Sequence, residues 1–377
     1  MMKFEEFKAG KYTQQFQYKS FTPEKINLEW TWNNPEINTL LEDAVRYLGE
    51  LNAFSKMIPD VDQFIRMHIA KEANQSSRIE GTQTNIDEVL MKIEEIDPEK
   101  RDDWQEVQNY INAMNLSISK LDHLPLSSRL MKEAHQVLLS GARGKHKLPG
   151  EFRTSQNWIG GASLKDAVFI PAHHDEIPEL MSDLESFWHN EHIHVPLLIK
   201  IGLSHYQFET IHPFLDGNGR IGRLLITLYL INFKLLEKPC LYLSDFLEKN
   251  RASYYDALTI VRTSNNLIHW VKFFLNAVIE SAKYSKSTFE KILALKNEID
   301  ETISTLGRRA GNARKLVYHL YSNPTIKIDD VCEVLDIKPN VAHPLINLLV
   351  DKEILVEQTG FKKNRLYAFE KYLKLYK

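Results

Sequence analysis

Cysteine is nearly absent from this chain. The two present, Cys240 and Cys332, are isolated and far apart. That excludes a disulfide framework and a cysteine-based zinc site, and it fits a reducing, cytoplasmic setting. Charge of one sign is also lacking. The formal net charge is −3 with 26% charged residues, so nothing pulls the whole chain toward nucleic acid or membrane. No run reaches the roughly 20 apolar residues of a membrane helix. The start, Met-Met-Lys-Phe-Glu-Glu-Phe-Lys, has no apolar signal core. Internal repeats and low-complexity segments are absent too. Fourteen histidines are present, with His173-His174 and His189, His192, His194 in clusters. None follows a zinc-protease pattern, so they read as solvated surface. What remains is a chain of 377 residues, enough for two or three domains and a sizeable core.

The informative run is His212-Pro-Phe-Leu-Asp-Gly-Asn-Gly-Arg-Ile-Gly-Arg223. Gly217 and Gly219 flank Asn218, so the backbone here can approach a ligand closely. The strongly apolar stretch from Arg220 to Phe233 reads as a buried helix. A glycine-rich turn opening a helix is an anion site, because free N–H groups and the positive dipole end point at the ligand. Arg220 and Arg223 share a face of the first turn, and their forks suit phosphate oxygens. Two cations at a helix N-terminus oppose the dipole unless an anion or carboxylate sits there. Asp216 supplies a hard oxygen of the kind Mg²⁺ prefers when it bridges phosphates. His212 is the one side chain of the run that titrates near neutrality, which makes it the candidate general base.

This run resembles the Fic family signature at every position. The resemblance implies transfer of AMP from ATP to a Ser, Thr or Tyr hydroxyl of a target protein. His212 would take the hydroxyl proton and the oxygen would attack the α-phosphate. Asp216 would hold Mg²⁺. Asn218 with the backbone of Gly217 and Gly219 would hold the α- and β-phosphates, and Arg220 and Arg223 the outer ones. Glycine at 219 favours nucleotidyl transfer, because the related Doc kinases carry lysine there.

A second motif lies upstream, Ser76-Ser-Arg-Ile-Glu80-Gly81. Asp62 to Ser77 is predicted to be helical from the spacing of Phe64, Ile65, Ile69 and Ala73, and Gly81 is placed to end the helix. Ser76 and Glu80 then share one face. Ser/Thr-x-x-x-Glu-Gly resembles the inhibitory helix that accompanies Fic domains, here spanning about 62–81. The resemblance implies that Glu80 pairs with Arg223, blocks the γ-phosphate and turns the α-phosphate out of line. Some relatives also remove AMP with this glutamate.

Pro149-Gly-Glu-Phe-Arg153 and Gln156-Asn-Trp-Ile-Gly-Gly161 precede the signature. Val168-Phe169-Ile170-Pro171 is short, β-prone and closed by proline, which fits a hairpin arm. The resemblance makes it the family's flap, whose strand edge would hold an extended target segment. Farther on, Asn250, Tyr254 and Tyr255 are the candidates for the adenine pocket, again by resemblance.

The expected fold is mainly α, a Fic-type helical domain with a short β-hairpin flap and a C-terminal winged helix-turn-helix domain. Residues 1–60 read as an extension that is irregular and then helical from Pro35. Residues 61–282 carry the catalytic domain, 283–306 a connecting helix and 307–377 the winged helix. Within the last, helices over Asn312–Tyr321, Lys327–Leu335 and Pro339–Lys352 precede two strands around Thr359-Gly360. One reading is DNA binding, with Lys338, Asn340, His343 and Asn347 facing bases and Lys362, Lys363 and Arg365 meeting phosphates. The other is protein contact or dimerisation. The functional expectation is therefore an adenylyltransferase using ATP and Mg²⁺ and inhibited by Glu80. Its alternatives are a DNA-binding regulator that senses nucleotide, transfer of another nucleotide, and AMP removal. A homodimer and self-modification stay open, and no membrane partner is expected.

Overall fold

The computed structural model of the chain describes residues 1–58, 60–141, 143–144, 146–361 and 364–377. The N-terminal stretch that reads as irregular contains two small sheets. β1 (Met2–Lys3) runs parallel to β4 (Trp30–Thr31), and β2 (Gly10–Gln14) pairs antiparallel with β3 (Lys19–Pro23). Their cause is the aromatic content, since Phe4, Phe7, Phe21 and Trp30 are all buried and anchor the extension to the helical body.

The apolar-periodic segments fold as helices. α1 (Pro35–Met57) starts at Asn34, whose side chain accepts from the Ile37 N–H, with Pro35 at the first position. There follow α2 (Asp62–Ile79), α3 (Ile86–Val89), α4 (Arg101–Lys120), α5 (Ser128–Leu138) and α6 (Ile177–His189). Next come α7 (Leu197–Ile211), α8 (Asn218–Asn232), α9 (Leu243–Lys249), α10 (Arg251–Ser264) and α11 (Leu267–Ser304). α7 is buried on every face from Leu198 to Ile211, and α8 nearly so, which is the pattern of a central helix pair rather than of surface helices. α4, α5 and α2 pack around α8, while α6 and α11 close over α7. The stretch 283–306 is not a separate connector. It is the second half of α11, a 38-residue helix that contains neither glycine nor proline to interrupt it.

The C-terminal unit holds α12 (Ala310–Leu320), β5 (Thr325–Ile326), α13 (Ile328–Leu335), α14 (Pro339–Asp351), β6 (Val356–Glu357), β7 (Tyr367–Ala368) and α15 (Glu370–Leu373). Its antiparallel sheet has the order β5-β7-β6. β5 is a strand that the hairpin signal alone does not reveal. Lys338, Asn340, His343, Asn347 and Arg365 are exposed, whereas Lys362 and Lys363 lie outside the described residues. The unit grips the start of α2. Phe64 meets Tyr321 at 5.0 Å between ring centroids, and the Ser322 hydroxyl donates to Gln63 Oε1 at 2.6 Å.

The flap is smaller than a hairpin. Ile159 and Phe169 form a single antiparallel bridge. Phe169 is buried against Phe21 and Ile170 accepts from the Phe21 N–H at 2.9 Å, so part of the 168–171 edge is already occupied by β3. Val168 stays 78% exposed. Among the described residues, no helix is long and apolar enough to cross a membrane.

Candidate active site

α7 ends at His212, and α8 begins at Asn218 after a turn through Gly217. His212 sits at φ +52° and Gly217 at φ +76°. The first of these is a left-handed conformation that costs a non-glycine residue about 1–2 kcal/mol, so the surroundings must impose it. The second is natural for glycine.

His212 is half-buried, and its Nδ1 lies 3.3 Å from the Glu209 carbonyl. A carbonyl can only accept, so this contact places the hydrogen on Nδ1 and leaves the Nε2 lone pair free. Burial, reinforced by the Arg153 charge, pushes the imidazole down to about 4. A neutral imidazole with an open lone pair is what a general base requires at neutral pH.

The loop is held by residues around it. The Asn218 side chain accepts from the Phe214 N–H and donates to the Phe214 carbonyl, both at 2.8 Å. This corrects the expectation for Asn218: its amide staples the loop and is not free for phosphate. The Gly217 N–H is likewise taken, by Asp216 Oδ1 at 2.6 Å. His135 donates from Nε2 to the Asp216 carbonyl at 3.0 Å, because its Nδ1 accepts from the Gly150 N–H at 2.9 Å. The first N–H groups of a helix have no acceptor inside it, so the start of α8 favours an anion.

Both motif arginines are paired with carboxylates. Arg223 is 2% exposed and donates from Nη2 to Glu80 Oε1 at 2.6 Å. It also donates from Nε to the Ser76 hydroxyl at 2.8 Å and from Nη2 to the Ser76 carbonyl at 2.9 Å. Burial works against ionisation of Glu80, but Arg223 outweighs it and holds the carboxyl below its ordinary value. Arg220 donates from Nη1 to Glu106 Oε2 on α4 at 3.0 Å. Gly219 lies directly beneath Glu80: a Cβ there would come within 2.3 Å of Glu80 Oε1. The Asp216 carboxylate is 46% exposed, with Oδ2 open beside the helix mouth. One accessible hard oxygen fits an Mg²⁺ ion that takes its other ligands from phosphates and water.

Other expected residues are placed differently. Tyr254 is buried at 1% exposure and its hydroxyl donates to His205 Nε2 at 2.8 Å, so it is a core residue and not a wall of a ligand pocket. Tyr255, 39% exposed, is the ring of that pair that reaches solvent. The Asn250 Nδ2 donates to the Phe246 carbonyl at 2.9 Å at the end of α9. His189 donates to the Leu126 carbonyl at 2.6 Å rather than standing free, while His173, His174 and Asp175 gather on the surface.

Three residues escaped the sequence reading. Glu106 holds Arg220. Glu209 is buried beneath the site, with Oε1 lacking a partner among the described residues, and burial pushes it up to about 7. His205 links α7 to α8 and α10 through the Gly222 carbonyl at 2.9 Å and Tyr254. Glu106 lies 114 positions from its partner and has no local signature.

The Fic/DOC family N-terminal profile matches residues 38–119, and the Fic/DOC family profile matches residues 125–230. Protein adenylyltransferase Fic of Drosophila erecta is 34% identical over 126 residues, 32% of this chain and 22% of that protein. Protein adenylyltransferase fic-1 of Caenorhabditis elegans is 24% identical over 199 residues, 52% of this chain and 34% of that protein. The chain thus spans about a third or less of the length of these curated relatives. In fold it is similar to the crystal structure of a Fic family protein from Desulfovibrio desulfuricans G20, with a TM-score of 0.58 at 21% identity over 89% of this chain and 96% of that one. It is also similar to Fic-1 from C. elegans, with a TM-score of 0.52 at 19% identity over 70% of this chain and 75% of that one. Residues 38–119 and 125–230 thus carry the N-terminal and Fic domains of the Fic/DOC family, and the helical fold is similar to that of solved Fic proteins.

Proposed function

We propose that this chain is a protein adenylyltransferase that moves AMP from Mg²⁺-ATP to a Ser, Thr or Tyr hydroxyl of a target protein, and that Glu80 restrains it. The observation that carries the reading is the imidazole of His212, Nδ1 turned to the Glu209 carbonyl, at the mouth of a helix whose first turn presents two arginines. In this reading Nε2 takes the proton of the target hydroxyl, and the oxygen attacks the α-phosphate as pyrophosphate leaves. The unpaired N–H groups of α8 receive phosphate oxygens. Arg223, once Glu80 gives way, and Arg220, held in place by Glu106, take the outer phosphates. Asp216 would hold the metal ion, which when bound supplies charge neutralisation on the phosphates. Tyr255 and Asn250 border the adenine, and exposed Val168 with the remaining flap backbone borders the target segment.

Glu80 supports the restrained form because it occupies the arginine that the γ-phosphate needs. The test is incubation of wild type, Glu80→Gly and His212→Ala with Mg²⁺, α-labelled ATP and cell lysate, with adducts located by mass spectrometry. Label on protein from Glu80→Gly and none from His212→Ala supports the reading. No label from Glu80→Gly on any protein, itself included, sinks it.

A second reading is favoured by one contact. The C-terminal unit seats on the first turn of α2, the same helix that ends in Ser76 and Glu80. A DNA or protein partner of that unit would then report on the nucleotide site. Salt-dependent binding of duplex DNA to the whole chain that changes with ATP supports it.

A further inference from the structure

The segment Arg153–Asn157 has a role that the transfer chemistry above does not use. The Arg153 side chain is 2% exposed, yet among the described residues it has no carboxylate partner. All its hydrogen bonds go to carbonyls: His212 from Nε at 3.0 Å, Ser155 from Nη1 at 3.1 Å, and Ala172 and Ile211 from Nη2 at 2.5 and 3.5 Å. Its backbone N–H donates to the Pro213 carbonyl at 2.9 Å. Asn157 Nδ2 continues the strap to the carbonyls of His212 at 3.4 Å and Phe214 at 2.7 Å. Four consecutive carbonyls, 211 to 214, are thus gathered by one short segment where α7 ends. The Ile211 carbonyl is one of the acceptors that the helix C-terminus leaves unsatisfied, and the other three belong to the cap and loop that follow.

Two consequences follow. The strap fastens the carbonyl of His212, whose left-handed backbone closes α7 with its N–H donating to the Phe208 carbonyl at 2.9 Å. And carbonyls satisfy a guanidinium without neutralising it, so a full positive charge remains next to the imidazole. The Ala172 carbonyl lies three residues beyond the Ile159–Phe169 bridge, so the same guanidinium spans the base and the segment proposed to hold the target.

We propose that Arg153 is a positioning residue for the transfer reaction: it locks the His212 backbone against the 168–172 segment and sets an unneutralised guanidinium beside the base whose Nε2 accepts the target's proton. The proposal rests on the adenylyltransferase reading. The charged groups acting on His212 are Arg153 on the strap, Glu80 after α2 and Arg262 on α10, while the Glu209 backbone carbonyl on α7 takes Nδ1–H and favours the imidazolium. Arg153 and Arg262 disfavour the imidazolium and Glu80 favours it. Burial acts with the two arginines and sets the direction.

The experiment is a histidine-resolved NMR pH titration of the full chain, with assignment by His212→Ala, run beside transfer kinetics in the Glu80→Gly background. In wild type His212 is expected to stay neutral down to about pH 4, far below the ordinary 6.5. Arg153→Met should move that titration up by about one unit or more and lower kcat by about 10²-fold, with KM for ATP nearly unchanged, because misplacement of a base penalises the chemical step. Arg153→Lys should keep the titration low and recover part of kcat. A wild-type His212 titrating near 6.5, or a folded Arg153→Met whose His212 titration does not move, overturns the proposal. If Arg153→Met fails to fold, the wild-type titration and Arg153→Lys decide alone. The expected titrations without AMP transfer in any variant would overturn the adenylyltransferase reading while supporting the Arg153–His212 coupling.

Discussion

Arg220 and Arg223 stand on one turn of α8, and their two flanks are built differently. Arg223 receives three contacts from the end of α2, where Glu80 is the helix's final cap and Gly81 follows at φ +109°. The Glu80 side chain is 35% exposed while its arginine is 2% exposed. Arg220 is held by Glu106 from within α4, and Glu106 is itself tied to Arg143 at 3.2 Å. A residue at a helix end can leave by fraying a single turn, whereas one inside a packed helix cannot leave without the helix. The difference teaches that a carboxylate on an arginine is not by itself an inhibitor. On the proposed function, the Glu80 flank would be the releasable restraint and the Glu106 flank a permanent support.

The comparison means something only if the site turns over, so the largest expected effect is that of His212→Ala. Loss of the base should lower transfer by about 10²–10⁴-fold in the Glu80→Gly background, read as label incorporation from α-labelled ATP. Undiminished transfer would show that His212 is not the base, and the two flanks would then bear on binding alone. Next in size is Glu80→Gly itself. Freeing Arg223 should raise transfer by about 10²-fold, the scale of a misplaced phosphate brought back into line. Equal rates in wild type and Glu80→Gly on a proven target would erase the contrast between the flanks.

The two flanks also differ in how far the sequence revealed them. The run from 212 to 223 was legible because every chemical group comes from contiguous residues whose spacing carries meaning by itself. Glu80 was legible only through resemblance; its approach to Arg223 is a contact across 143 positions. Glu106 carries no such motif, and its place in α4 looks like any solvated glutamate until α8 packs beside it. Asn218 misled for a related reason. An amide between two glycines suggests ligand contact, yet the Phe214 peptide uses both ends of it. Tyr254 and Tyr255 are adjacent and therefore indistinguishable by composition, but the turn of α10 buries one and exposes the other. Helix existence followed from periodicity throughout. What failed was continuity, as in α11, where charged composition suggested a boundary that backbone physics did not supply.

Acid sharpens the contrast next. His68 is held neutral by burial to about 3, and His135, His205 and His212 to about 4. Their folded values lie below the ordinary 6.5, so the unfolded chain binds protons that the folded chain refuses as pH falls from about 6.5 to 4. Glu72 and Glu209, raised by burial to about 7, act in the opposite sense: their stabilisation is present at low pH and lost as pH rises through 7. The lowered imidazoles outnumber the raised carboxyls, so unfolding takes up protons and stability should fall as pH drops from about 6.5 to 4.5. Glu80, by contrast, has a lowered carboxyl, so its bond to Arg223 persists above its ordinary 4.5 and is lost only below it. The fold is therefore expected to give way before the restraint does. Circular dichroism melts should weaken from about pH 6.5 to 4.5, with no rise in wild-type transfer over that range. A wild-type protein that stays folded and reaches the Glu80→Gly rate on acidification would place Glu80 among easily released groups and undo this ordering.

The smallest effect, and the sharpest discriminator between the flanks, is Glu106→Gln. The substitution keeps the shape and removes the charge that faces Arg220, whose side chain is 6% exposed and whose Nε already lacks a partner among the described residues. A buried guanidinium that loses its carboxylate costs about 1–3 kcal/mol, which corresponds to a fall in Tm of roughly 2–10 °C for a domain of this size. Because Glu106 supports Arg220 rather than occupying the place of a phosphate, transfer should not rise, and a modest increase in KM for ATP should accompany the lower Tm. The double variant Glu80→Gly/Glu106→Gln should then show the activation of the first change and the instability of the second, nearly additively, since the two carboxylates hold different arginines. Activation by Glu106→Gln comparable with that of Glu80→Gly would mean that both arginines are under restraint, and that the position of a carboxylate within its helix does not decide whether it inhibits.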